Sequence, residues 1–112
     1  MSKPQMGSNE AEIKTIRANR TQGSRAVGGH LMLTNHRLVF YPHKFDDATV
    51  GDSWECALGS IKSAGIADRS WNPFNGSLRR RLEIDPGGPH QFFVVSRVEE
   101  IVAEIERAIS SS

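Results

Sequence analysis

The fold class this sequence predicts is mainly β with one α-helix: a seven-stranded bent antiparallel sheet or barrel capped by a C-terminal helix. Three observations predict it. Short apolar runs with period-two alternation recur between residues 26 and 95, each bounded by turn residues. The period then changes, with Val98, Ile101, Val102, Ile105 and Ile109 at the three- and four-residue spacings of one helix stripe. A sheet with a face to cover and a helix with a stripe to bury complete each other.

Residues 1–10 read as a flexible leader, small, polar and marked by proline and glycine, ahead of a domain expected over 11–110. In AEIKTIRANR (11–20) a short helix and a half-buried strand both stay open, because Ile13 and Ile16 suit neither period cleanly. TQGS (21–24) is a turn. Strands at 26–34 and 36–42 flank Thr34 and Asn35, short polar residues whose side chains bond locally to backbone, and Pro42 ends the second strand. KFDDATVGD (44–52) is a loop with an acidic cluster. SWECAL (53–58) alternates, with Trp54, Cys56 and Leu58 on one face, and a Gly59-Ser60 turn leads into a strand at 61–66. The turn-rich ADRSWNPFNGS (67–77) follows. LRRRLEI (78–84) alternates strictly, PGGP (86–89) closes it, and HQFFVV (90–95) is the last strand. Ser96 stands three residues before Glu99, a capping-box signature that predicts the helix start there, with its end near Ile109.

At 112 residues the chain is one domain, able to bury roughly 65% of its unfolded surface. Fourteen basic and thirteen acidic side chains nearly cancel, which argues against a nucleic-acid partner. The single cysteine, Cys56, leaves no internal disulfide framework, fits a reducing compartment, and reads as a small buried hydrophobe. The opening residues carry no apolar signal segment, and no apolar run approaches a membrane span. The expectation is a cytoplasmic protein whose contact with membrane, where there is any, is peripheral.

The stretch GGHLMLTNHRLVFYP (28–42), followed by WECALGSIKSAGI (54–66), a basic strand and a terminal helix, resembles the GRAM branch of the pleckstrin-homology-like superfamily. The most specific piece is Leu33-Thr-Asn-His-Arg-Leu38. From Gly29 to Phe40 the chain follows that family's habit of a glycine, an apolar strand, Thr-Asn, one residue, Arg-Leu and a second apolar strand. ALGSIKSAGI (57–66) is similar to the family's segment in which a short strand leads by way of an isoleucine into the next. The resemblance covers roughly residues 11–110. It implies the fold stated above and a tendency toward lipid or protein binding, often at membranes, without a shared enzymatic activity. The roles expected of Thr34, Asn35 and Arg37 are structural. The first two close the hairpin by local hydrogen bonds, while Arg37 lays its stem on a sheet edge and keeps its charge wet.

Catalytic patterns are missing from the sequence: there is no Gly-rich phosphate loop and no Gly-x-Ser-x-Gly elbow, so no enzyme is expected. His30, His36, His43 and His90 match no standard zinc spacing, and one cysteine cannot complete a sulfur-rich set, although His30 and His36 can approach each other across the hairpin. No metal and no cofactor are expected. In Arg79-Arg80-Arg81, alternation places Arg79 and Arg81 with Glu83, and Arg80 with Leu78, Leu82 and Ile84. A solvated face, partly neutralised by Glu83 and Asp85, is one reading. The other joins Arg79 and Arg81 to Arg69, Trp71 and Phe74 as a binding surface, for a headgroup-level membrane contact or a protein hot spot. Packing of Trp71 against the open end of the sheet stands beside both.

The resemblance points to an alternative set as well, because lipid-binding pleckstrin-homology domains usually hold phosphoinositides with basic residues around the first strand–strand loop. Here those are Lys14, Arg17, Arg20 and Arg25, sparser than the cluster of a strong headgroup binder. The function expected is a non-catalytic binding module for a protein partner or a second copy of itself. The alternative is peripheral binding to anionic membrane lipid, weak and phosphoinositide-type or non-specific.

Overall fold

The computed structural model describes residues 4–22, 25–42, 53–67 and 81–111. Within them the chain runs through β1 (Glu12–Gln22), β2 (Arg25–Thr34), β3 (Arg37–Pro42), β4 (Trp54–Ala57), a 3-10 turn (Leu58–Ser60), β5 (Ser63–Ala67), β6 (Arg81–Asp85), β7 (Gln91–Val94) and α1 (Val98–Ser111). The seven strands form one antiparallel sheet in the order β4-β3-β2-β1-β7-β6-β5, which does not close on itself. This is the predicted architecture.

The segment left open between helix and strand is β1, and its register explains the ambiguity. Glu12 pairs with Thr34 and Lys14 with Leu33, so Ile13 is an extra residue in a bulge. The bulge breaks the period of two between Ile13 and Ile16. Ile13 is 46% exposed, while Ile16 packs against the core and Ala18 is buried. β1 then pairs with β2 to its end, Gln22 against Arg25, but meets β7 only at Asn19 and Arg20.

The inner face of the sheet carries Leu31, Leu33, Leu38, Phe40, Leu82, Ile84 and Phe93, all buried. Phe93 stands at its centre, with ring centroids 5.8 Å from Phe40 and 5.7 Å from Trp54, so β3, β4 and β7 meet there. Helix α1 seals this core with Val98, Ile101, Ile105 and Ala108. On the outer face Met32, Val39 and Tyr41 form a second buried cluster, against which Met6 packs.

Element boundaries differ from expectation at several points: Thr21 and Gln22, read as turn, end β1, and three further differences have a local cause. The strand expected at 61–66 begins at Ser63, because Leu58–Ser60 winds as a 3-10 turn that carries the chain past Ile61. Leu58 belongs to that turn rather than to β4, though it is buried as its alternation predicts. The helix starts at Val98, later than the capping box at Ser96 places it. Arg97 has φ +54°, a left-handed conformation that cannot be helical, and its carbonyl accepts the first bonds, from Glu100 and Ile101.

The glycine that opens the hairpin motif has a specific reason. Gly29 sits opposite Pro42, and a Cβ there would lie 2.4 Å from the Tyr41 carbonyl oxygen and 2.7 Å from Pro42 Cα. Both are backbone atoms and cannot swing aside. Gly29→Ala should therefore lower the melting temperature by at least about 5 °C, the scale of an overpacked core in a domain of this size. Thermal denaturation followed by circular dichroism checks this, with Gly59→Ala, which meets open space, as the control.

Candidate functional site

The Thr34-Asn-His-Arg37 motif builds the densest polar constellation in the described residues. Thr34 is fully buried, and its Oγ1 accepts the backbone N–H groups of His36 and Arg37, both at 3.0 Å. That closes the hairpin locally, as expected. The hydroxyl proton goes elsewhere, to Glu10 Oε2 at 2.7 Å.

Asn35 does not act locally, contrary to expectation. Its Oδ1 accepts the Ala11 N–H at 2.8 Å, and its Nδ2 donates to the Asn9 carbonyl at 3.1 Å. Arg37 does not keep its charge wet either. Its side chain is 19% exposed and grips Glu10 through two nitrogens, Nε to Oε2 at 2.8 Å and Nη2 to Oε1 at 3.3 Å. Nη2 also reaches the Gln5 carbonyl, and Nη1 reaches Glu55 on β4. The physical reason is Glu10: its side chain is only 5% exposed, so a buried carboxylate demands a bidentate cation beside it.

Arg37 and the Thr34 hydroxyl, with the Gly7 N–H, hold the Glu10 carboxyl down from its ordinary 4.5 to about 2. Glu10 in turn raises the Arg37 guanidinium. This constellation ties the segment before β1 to the β2–β3 hairpin and β4.

A second polar group lies at the β6–β7 hairpin. His90 Nδ1 is 2.5 Å from Glu83 Oε2, and its Nε2 is 3.4 Å from Asp85 Oδ2. The hydrogen bond to Glu83 is the main cause of a pKa raised above the ordinary 6.5. His30 and His36 have separate partners instead of each other: His30 stacks on Tyr41 at 5.4 Å, and His36 Nε2 lies 3.0 Å from the Asn9 carbonyl at the hairpin tip, while His43 lies outside the described residues. The Cys56 thiol is raised by burial, away from the thiolate form. Among the described residues no three His, Cys, Asp or Glu side chains are grouped to hold a metal ion.

Of the surface expected around the turn-rich segment, Arg69, Trp71, Phe74 and Arg79 lie outside the described residues. Arg81 opens β6, half-buried, on the face it shares with Glu83. The second basic set is spread along the sheet. Lys14 lies 3.5 Å from Glu104 of α1. Arg20 gives Nε and Nη2 to Gln91 Oε1 at 3.1 and 2.9 Å. Arg17 lies at odd register between them, on the opposite face, exposed and with no ion-pair partner among the described residues. Arg25 begins β2 opposite Gln22, and its side chain lies outside the described ones. Lys14 and Arg20 are six positions apart, about 20 Å on a strand, so those two cations do not converge on one anion.

A groove does open between β1 and the start of α1. One recess of about 490 Å³ lies between Arg17, Ala18 and Asn19 and the Val94–Glu99 segment. The next, about 330 Å³, continues it between Lys14, Ile16 and Arg17 and the first helical turn. Arg97 borders both and was not legible as a site residue, because nothing in the sequence marks the left-handed turn that swings it there.

No family profile matches the chain, and no curated protein matches it in sequence. Solved structures match in shape. The C-terminal domain of an unknown protein from Leishmania infantum is 14% identical with a TM-score of 0.71, over 91% of this chain and 86% of that one. The N-terminal PH domain of Vps36 is 14% identical with a TM-score of 0.69, over 96% and 85%. The hSac2 domain of the human phosphoinositide phosphatase Sac2 is 12% identical with a TM-score of 0.73, over 95% and 74%. At such identities the likeness shows the fold, and the fold is pleckstrin-homology-like.

Two pH dependences follow. Glu10 is depressed in the folded state, so its stabilisation is complete above about pH 4.5 and is lost as pH falls toward 2. Glu10→Gln should lower stability at pH 7 by about 1–3 kcal/mol, the worth of a charged hydrogen bond, and flatten the acid limb of the pH–stability curve. Urea melts at a series of pH values check it. His90 is raised, so its contribution is complete below 6.5 and is lost as pH rises through the folded value. Its imidazole resonances should titrate above 6.5, and Glu83→Gln should move that midpoint down.

Proposed function

We propose that this domain is a non-catalytic module that binds a protein partner, and that it belongs to the GRAM branch of its superfamily. The observation that carries the first half is the dispersal of the described cations of β1. Lys14 is engaged by Glu104 and Arg20 by Gln91, while Arg17 lies on the other face. A formal net charge of +1 adds little long-range attraction for an anionic surface. Each Lys or Arg near anionic lipid is worth about 1 kcal/mol, so a scattered handful gives weak recruitment. The groove beside β1 offers exposed backbone and mixed side chains, which suit a polypeptide better than a headgroup.

The non-catalytic reading is supported by the employment of the reactive side chains. His36 and His90 serve hairpins, and the Cys56 thiol is kept protonated by burial. The GRAM assignment is supported by Leu33-Thr-Asn-His-Arg-Leu38, whose polar members hold the hairpin and the segment before β1. Among the described residues no helix is long and apolar enough to cross a membrane. A cytoplasmic location with peripheral membrane contact remains part of the proposal. So does the working surface of Arg69, Trp71, Phe74, Arg79 and Arg81.

The test is capture from a native extract, resolved by size, beside sedimentation with vesicles containing phosphatidylserine. A stoichiometric protein should be captured and should persist as salt rises. Vesicle binding should be weak and should vanish, because its attraction is screened over about 8 Å at physiological ionic strength. Trp71→Ala should reduce protein capture more than Arg79→Glu/Arg81→Glu, and the reverse order should hold for vesicles. Strong, salt-steep vesicle binding with no captured protein would overturn the reading in favour of lipid.

A further inference from the structure

We propose that the flank of β1 from Ile13 to Ala18 is a docking edge for one extended, acidic peptide strand, seated between β1 and the first turns of α1. This rests on the reading of the domain as a protein-binding module and adds to it a second surface, separate from the one around Trp71.

The first observation is a ladder that stops. β1 has strand neighbours on both sides only at Asn19 and Arg20, and from Ile13 to Ala18 its strand partner is β2 alone among the described residues. In an antiparallel strand the N–H and C=O groups of every second residue turn away from the paired side. Such a row is a template for another strand. β7 does not supply it: its ladder ends at Val94, and the chain then bends through Ser96 and Arg97, which has φ +54°, into α1.

The second observation is the space that this turn leaves. The two recesses, about 490 and 330 Å³, share Arg17, Ser96 and Arg97 and so form one trough beside the open flank. Six residues of strand span about 20 Å, and an added strand sits about 4.8 Å from its neighbour. Helix α1 stands on the far side of the trough. The trough so bounded suits a single chain, whereas a sheet edge arriving with its own next strand would have to pass the helix. That favours a free peptide over edge-to-edge pairing with a second copy.

The third observation is charge and polarity along the trough. Ile16 and Ile101 line its inner side, and Glu99 and Glu100 of α1 line its helix side. Arg17 points from the other face of β1, exposed and without an ion-pair partner among the described residues, while Arg97 is drawn toward Glu100 at 3.8 Å. Arg17 is therefore the cation left to read the ligand. The added strand would alternate apolar residues over Ile16 and Ile101 with acidic residues beside Arg17, and would lack proline at its centre.

The probe is a displayed library of random dodecapeptides, panned on the full chain. The same library is panned on full-chain Arg17→Glu, whose melting should be unchanged because the side chain is exposed and has no ion-pair partner among the described residues. Enriched peptides should alternate apolar and acidic residues. As soluble peptides they should bind Arg17→Glu at least tenfold more weakly, and should lose binding when alternate amides are N-methylated. Amide chemical shifts should move at residues 13–18 and 94–101. Enrichment indifferent to Arg17 or to N-methylation, shifts confined elsewhere, or no enrichment at all would overturn the docking edge. If extract capture still yields a stoichiometric protein that tolerates Arg17→Glu, the module reading survives and only this surface falls. If neither experiment yields a protein ligand, both fall.

Discussion

The pair formed by Glu10 and Arg37 is the interaction on which the rest of this structure depends. A carboxylate 5% exposed and a guanidinium 19% exposed lie 2.8 Å apart, with the fully buried Thr34 hydroxyl bonded to the same carboxylate oxygen. Arg37 also bonds Gln5 and Glu55, so one side chain links the segment before β1, the β2–β3 hairpin and β4. The desolvation of these charges is offset only while both partners stay in place. Removing either would strand the other in a site built for its opposite. This explains why a short hairpin signature constrains much more than a hairpin: it fixes where β1 begins and how Met6 comes to lie on Met32, Val39 and Tyr41.

β1 is the second organiser, because it belongs to both halves of the sheet. It runs along β2 for its whole length and lends two residues to β7. Those few pairs are enough to turn the sheet a corner, since Phe93 then brings β7 against Phe40 and Trp54. The same economy leaves the early part of β1 with an open flank, which the apolar stripe of α1 approaches without hydrogen-bonding to it. The chain that leaves β7 at Val94 and bends through Arg97 into α1 thus both closes the core and borders the trough.

The fold was largely legible in the sequence, because it is written in periods. Alternation through Leu31, Leu33, Leu38 and Phe40, and through Leu82 and Ile84, translates directly into the inner face, and the Val98–Ile105 stripe into the buried side of α1. Where reading faltered, a local irregularity had broken the period. The bulge at Ile13 obscured β1, and the 3-10 turn at Leu58 displaced β5. The site was much less legible. Glu10 is a lone acid in a polar segment, and no local pattern ties it to Arg37, 27 residues away. Arg37 and Asn35 read as local residues because sequence exposes neighbours along the chain, whereas their partners are neighbours in space. Arg69, Trp71, Phe74 and Arg79 lie outside the described residues, so their part of the expected surface still rests on sequence.

Charge placement, more than charge number, is what this scaffold has to say about its partner. The described cations of β1 would form part of an anion cradle if they converged. Instead the alternation of β1 sends Lys14 toward α1 and Arg17 to the opposite face, and Gln91 fixes Arg20 beside β7. A phosphate rewards cations arranged around one point, because the attraction of each falls with distance. An extended chain rewards groups spaced along a line, since its backbone and alternate side chains present themselves at strand intervals. The line of open backbone beside β1, with apolar Ile16 and exposed Arg17 at adjacent positions, has the second geometry.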